Sequence, residues 1–290
     1  MIILKKSNTY LPFLPMASVE AIVLRAIEED VLGGDLTSSA CIDDKCQLSA
    51  LAVARNQMIA AGSFVAACVF SKVDPALTFE TLASEGDLVE RNQPLWRVFG
   101  NARSILMGER VALNFIQRLS GIATMTHEYV SAIPKGLKTH IADTRKTMPG
   151  LRLLDRYAVR VGGGHNHRDS LSSAILIKDN HIAACGGITK AIERAKAFAP
   201  HTSRIECEVD SIDQLKEAIA AGAEVVLLDN MDISTIEEAV KLAGGKVILE
   251  ASGGVTLQTI PSLARAGVDI ISVGALTHSV HAADIGLDIL

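Results

Sequence analysis

The sequence predicts an α/β protein whose second half is a barrel-like sheet of parallel strands. Three observations lead there. From about residue 138 onwards, six short apolar runs alternate with amphipathic helical stretches. Most of the runs are continuous apolar stretches rather than apolar at every second residue, which is the pattern of strands covered on both faces in βαβ units. Each run is also followed by a charged residue or a glycine, and in a parallel barrel those residues share one rim. Six such repeats curl into a barrel, closed or incomplete. The first half of the chain mixes strands and helices without this alternation.

Residues 18–30 read as a first helix, because Val19, Ile22, Val23, Ala26 and Ile27 recur at helical spacing behind Ser18 as N-cap. Residues 48–54 and 77–82 read as strands with a helix over 63–72 between them. The stretch Glu85-Gly-Asp-Leu-Val89 is a turn before a short strand at 95–99. A long helix over 102–119 follows, with Ile105, Ala112, Ile116 and Leu119 on one face and Gly121 as its stop. The six barrel runs are 139–142, 174–177, 204–207, 224–228, 246–249 and 268–273. Ser211-x-x-Gln214 and Ser234-x-x-Glu237 read as capping boxes for two of the helices between them. The rim residues are Asp143, Lys178, Glu208, Asp229, Glu250 and Gly274.

Bulk composition narrows the class. A chain of 290 residues with 49% hydrophobic and 21% charged residues builds one large or two modest cores. A net charge of −5 argues against a surface that grips nucleic acid, yet allows a local basic cavity. Five cysteines without a Cys-x-x-Cys pair point away from a disulfide framework or zinc ribbon and towards a reducing cytosol. Residues 1–16 put Lys5 and Lys6 after the apolar start and are broken by Pro12 and Pro15. They read as a loose arm, not a signal peptide or membrane helix. Neither a His-Glu-x-x-His pair nor a P-loop is present.

The rim carries the chemistry. Asp143-Thr-Arg-Lys-Thr147 sets two adjacent cations there, and Gly162-Gly-Gly-His-Asn-His-Arg168 adds His165, His167 and Arg168 on a glycine-rich loop. Ile177-Lys-Asp-Asn-His181 adds Lys178. Arginine grips carboxylates in a fork and lysine acts as a mobile point charge, so this set suits an anionic substrate. Glu208 and Asp229 are carboxylates that suit a magnesium ion, a developing sugar cation, or salt bridges to those cations. Ala251-Ser-Gly-Gly254 and Ser272-Val-Gly-Ala275 follow the last two runs, where glycine turns form phosphate cradles, and His278 lies one turn further on.

These segments, together with Glu29-Asp-Val-Leu-Gly-Gly-Asp-Leu-Thr37, the run 109–124 opening Glu109-Arg-Val-Ala-Leu-Asn, and Leu228-Asp-Asn-Met231, closely resemble quinolinate phosphoribosyltransferase from about residue 18 to the end. The resemblance implies transfer of phosphoribosyl from phosphoribosyl pyrophosphate to quinolinate with decarboxylation, in NAD biosynthesis. It implies an N-terminal α/β sandwich over 1–127, an open, incomplete TIM-like α/β barrel over 128–278, and a segment 279–290 that returns to the first domain. It further implies a cytoplasmic homodimer with shared active sites, Mg2+ as cofactor, and neither nucleic acid nor membrane as partner. Arg110 would cross from the neighbouring subunit. Arg145, His167, Arg168 and Lys178 would hold the dicarboxylate. Lys146, Glu208 and Asp229 would serve the pyrophosphate, ribose and metal, with Lys178 also catalytic. Ser252, Gly253, Gly274 and His278 would cradle the 5′-phosphate. Met148 and Ser173 depart from the family pattern, where threonine and aspartate are usual. Two rival expectations are a lyase with Lys178 as Schiff-base nucleophile and an inactive sugar-phosphate-binding regulator.

Overall fold

A computed structural model describes residues 2–3 and 14–290, so the arm expected over 1–16 falls largely outside the described residues. Contacts divide the chain into two compact units: Met1–His127 with Thr147–Gly163 and Leu276–Leu290, and Glu128–Lys146 with Gly164–Ala275.

The first unit is built on a five-stranded sheet in the order Ile2–Ile3, Thr78–Thr81, Pro94–Asn101, Gln47–Ala54 and Ile285–Ile289. The last strand runs antiparallel to Gln47–Ala54, from Ile285 opposite Ala54 to Ile289 opposite Ala50. Phe70, Phe79 and Trp96 interlock in its core with ring centroids 5.2–6.0 Å apart. These aromatic side chains are buried and supply much of the apolar area that holds the layer together. Residues 147–163, expected inside the barrel, group with this unit for visible reasons. Tyr157 stacks edge-on against Phe64 at 5.1 Å, and the buried Asp155 carboxylate takes two 2.8 Å bonds from Arg118.

Two helix boundaries differ from expectation. The first helix spans Met16–Asp30 and is already wound before Ser18, because the Ser18 and Val19 N–H groups donate to the Pro15 carbonyl. The long helix runs Ala102–Ser131, straight through Gly121. A Cβ there would collide with the His281 carbonyl, so Gly121 permits close packing and does not end the helix.

The second unit holds a six-stranded, fully parallel sheet. Its order is His140–Ala142, Ile270–Ser272, Ile248–Ser252, Val225–Asp229, Ile205–Val209 and Ile175–Ile177. The first and second strands in chain order therefore lie at opposite edges, which makes this an open barrel. Beside the first strand, His165 adds one parallel bridge to Ala142, with reciprocal bonds from Asp143 N–H and His165 N–H at 3.0 and 2.8 Å. Ser211 caps its helix as expected, accepting from the Gln214 N–H. The next helix, Ile233–Ala243, is capped by Asp232, which accepts from the Thr235 N–H at 2.8 Å; Ser234, the expected cap, lies inside it. Among the described residues no helix is long and apolar enough to cross a membrane.

Candidate active site

Strand register decides which side chains reach the barrel mouth. Glu208 pairs with Leu227, which pairs with Glu250 on the next strand, and Asp229 pairs with Ser252. Side chains alternate faces along a strand, so Glu206 and Glu208, Leu227 and Asp229, and Glu250 and Ser252 all point the same way. The outward residues between them, including Cys207, Leu228, Leu249 and Ala251, are buried and apolar.

The inward set opens into a cavity of about 640 Å³. Nine of the expected residues line it: Arg145, Lys146, His167, Arg168, Lys178, Glu208, Asp229, Ser252 and Gly253. Glu250 and Ser272 line it as well. Gly274 lies outside the lining although it follows the Ile270–Ser272 strand. Arg110 and His278 belong to the first unit; both are exposed, and the His278 Nδ1 pairs with the Ser279 hydroxyl at 2.7 Å.

The cations are crowded. Burial, and then the neighbouring Arg145 guanidinium, pull the Arg168 pKa below its usual value. Arg168 Nη1 donates to the Ala174 carbonyl at 3.1 Å, which anchors one side of its fork. Lys178 is ion-paired with Glu208. Gly253 adopts φ +90°, and a Cβ there would run into the Asn230 side chain, so this turn accepts only glycine without rearrangement.

Part of the cavity wall joins a buried acidic group. His167 Nε2 lies 3.2 Å from Glu206 and 3.5 Å from Glu250. Burial pushes the Glu250 carboxyl up to about 7, with repulsion from Glu206 adding to it. Burial alone would lower the His167 pKa, but the hydrogen bond to Glu206 and the charges of Glu250 and Asp143 outweigh it and raise it. The potential ligand atoms of His167, Glu206 and Glu250 lie within 4.8 Å of one another, close enough to hold a metal ion. Asp143, expected as a rim charge, is instead fully buried. Its two oxygens accept from Asn166 Nδ2 at 2.6 Å and the His167 N–H at 2.7 Å, tying the loop to the end of the first strand.

Sequence reading missed the roles of Asp143, Asn166 and Glu206. The alternation Glu206-Cys-Glu208 held the signal for Glu206, since period two puts both acids on one face. The departing residues leave the lining unchanged: Met148 is exposed, and Ser173 pairs with Ser170.

Fold and cavity together define a barrel enzyme that handles anionic small molecules. Its family follows from two models, one for the quinolinate phosphoribosyl transferase N-terminal domain matching residues 35–120 and one for the C-terminal domain matching 122–288. The chain belongs to the quinolinate phosphoribosyltransferase family. It is 45% identical over 261 residues to a probable carboxylating nicotinate-nucleotide pyrophosphorylase of Bacillus subtilis, covering 90% of each chain. It is also similar to the solved nicotinate-nucleotide pyrophosphorylase of Francisella tularensis, with TM-score 0.92 and 42% identity over 98% of this chain and 100% of that one. The corresponding structure from Ehrlichia chaffeensis gives TM-score 0.91 and 38% identity, covering 96% and 100%.

Proposed function

We propose that the chain transfers phosphoribosyl from phosphoribosyl pyrophosphate to quinolinate with loss of CO2, giving nicotinate mononucleotide and pyrophosphate for NAD biosynthesis. The observation that carries this reading is a single cavity in which Arg145, Arg168 and Lys178 meet Glu208 and Asp229. The cations suit the two carboxylates of quinolinate, with Arg145 and Arg168 as forks. The turn at Ser252 and Gly253 suits the 5′-phosphate.

In this reading the pyridine nitrogen lone pair forms the bond to ribose C1′ while the C1′–O bond breaks and its electron pair leaves with pyrophosphate. Lys146 neutralises the departing anion, and Glu208 and Asp229 support the positive charge on the sugar. The alkylated ring is cationic, so the carboxylate beside the nitrogen leaves as CO2 and its bonding pair stays on the ring carbon, which then takes a proton from water. Alignment and charge screening provide the catalysis, and no general-base triad is required. Glu208 and Asp229 are hard oxygen donors that fit Mg2+ alongside phosphate oxygens, and the bound ion supplies positive charge against the pyrophosphate. The lyase reading is disfavoured by the ion pair between Lys178 and Glu208, since a Schiff-base lysine is activated in an apolar pocket or beside another cation.

The test is product formation with phosphoribosyl pyrophosphate and Mg2+. Nicotinate mononucleotide forms from quinolinate and not from nicotinate; the reverse preference, or no product from quinolinate, overturns the reading. We further propose a cytoplasmic homodimer in which Arg110, exposed on its helix, enters the partner's site. Mixed dimers of Arg110→Ala and Lys146→Ala subunits then regain activity that each homodimer lacks, and no recovery rules out sharing.

A further inference from the structure

The run 109–124 carries Arg118 as well as Arg110, and nothing in the reaction above uses Arg118. Arg118 donates from Nε and Nη2 to the two oxygens of Asp155, both at 2.8 Å. Asp155 is fully buried, and the oxygen facing Nη2 also accepts the Met148 N–H at 3.2 Å. Met148 stands at the end of the loop whose earlier residues, Arg145 and Lys146, line the cavity.

Burial does not fix this loop. Lys146, Met148, Pro149 and Gly150 are all exposed, and a Cβ added at Gly150 would meet nothing within 4 Å. Polar bonds hold it instead. The Lys146 N–H donates to the Thr144 hydroxyl at 3.1 Å, and Arg152 Nε donates to the Thr147 hydroxyl at 2.9 Å. The Met148 bond differs from these in having a buried, charged acceptor, and such bonds are the stronger class. The arginine fork fixes the direction of that acceptor. Because the bond uses the main chain of residue 148, the side chain there is free to differ from the threonine usual in the family.

We propose that Asp155, oriented by Arg118, is a positioning residue: its carboxylate holds the main chain of Met148 and so fixes the path of the loop that presents Arg145 and Lys146. The proposal rests on the reading above in taking those two cations as the ones that receive quinolinate and the departing pyrophosphate. Neither Asp155 nor Arg118 needs to touch a substrate.

The rival is a bond that adds stability and nothing else. Asp155→Ala does not separate the two, since it also strips Arg118 of its counter-charge. Met148→Pro deletes only the donor. Residue 148 precedes Pro149, which already confines it to extended conformations open to proline. Met148→Thr changes the side chain and keeps the N–H. Kinetics are measured where circular dichroism shows each variant folded. Met148→Pro raises KM for quinolinate about tenfold and lowers kcat, while Met148→Thr keeps wild-type values. A Met148→Pro enzyme that melts lower but keeps KM and kcat overturns the proposal, as does a Met148→Thr enzyme equally impaired. The second measurement needs no turnover. It is amide hydrogen exchange in the full chain labelled with 15N-methionine, with Met148→Leu identifying the resonance. The Met148 amide is expected to exchange slowly although its side chain is exposed; exchange as fast as in an unstructured peptide overturns the proposal. That result stands even if Met148→Pro fails to fold. It also stands if the wild-type chain makes no product from quinolinate, an outcome that sinks the functional reading alone.

Discussion

The buried Asp155 of the first unit has its counter-charge within the fold, whereas the barrel mouth of the second sets like charges side by side. Asp155, fully buried, receives Arg118 Nε and Nη2 at 2.8 Å on its two oxygens, and one oxygen also accepts the Met148 N–H at 3.2 Å. Arg118 spends its remaining reach on the Thr277 carbonyl at 3.0 Å. In the barrel, Arg145 crowds Arg168, and Glu206 crowds Glu250. The first pattern satisfies every partner within the fold and ties segments together. The second leaves like charges side by side, which a folded chain tolerates where ions from outside complete the arrangement. The residue types are the same; the difference lies in whether the counter-charge is internal.

The strongest way to break this comparison is to remove Asp155. Asp155→Ala leaves the partly buried Arg118 without its carboxylate and costs about 3–5 kcal/mol of stability, seen as a lower denaturation midpoint. A variant that melts like wild type would mean the matched pair is ornamental.

Next comes the opposed set, where the loss falls on binding instead. Arg145→Ala or Arg168→Ala each removes a charge-assisted contact of about 1.5–3 kcal/mol, so quinolinate binding weakens by about 10- to 150-fold in calorimetry. Removing one of two repelling cations leaves the melting temperature unchanged or raises it. A large drop in stability together with intact binding would place these arginines in the matched class and undo the distinction.

Gly121→Ala tests packing rather than charge, and its sign is informative. In an exposed helix interior, alanine in place of glycine stabilises by about 0.5–1 kcal/mol. Here the added Cβ meets the His281 carbonyl, and an overpacked site costs about 1–3 kcal/mol. A lower melting temperature is therefore expected, and a higher one would show that the C-terminal segment yields easily.

Gly121 also shows where sequence stops being legible. Local pattern identified the helix, yet a glycine that ends a helix and one that admits another segment look alike in one dimension. The contact that distinguishes them comes from residue 281, 160 positions away. The barrel strands were readable because parallel strands buried on both faces are mostly apolar, and the rim charges because they follow the apolar runs. Asp143 was visible as a rim residue but not as an anchor, since its partners Asn166 and His167 come from a loop more than 20 positions on. The cap at Asp232 was missed because Ser234 offers the same local motif, and only the turn geometry selects between them.

A pH-dependent effect distinguishes the two units further, because each holds a carboxyl near the same value for different reasons. Burial pushes Glu85 from its ordinary 4.5 to about 7, while the Gly62 and Ser63 N–H groups and Tyr157 pull it back. Glu250 also reaches about 7, but there Glu206 adds to burial. For Glu85 the folded state holds its proton up to about pH 7 and the unfolded state releases it near 4.5. Its contribution to stability is thus fully present below 4.5 and is lost as pH rises through about 7, by at most about 1.4 kcal/mol per pH unit. Glu85→Gln keeps the shape and removes the titration. Wild type should therefore lose stability relative to Glu85→Gln as pH is raised from about 5 to about 8. If wild type instead gains on the variant over that range, the two amide donors outweigh burial. Glu85 would then be a matched ion like Asp155, and the contrast between the two units would be sharper still.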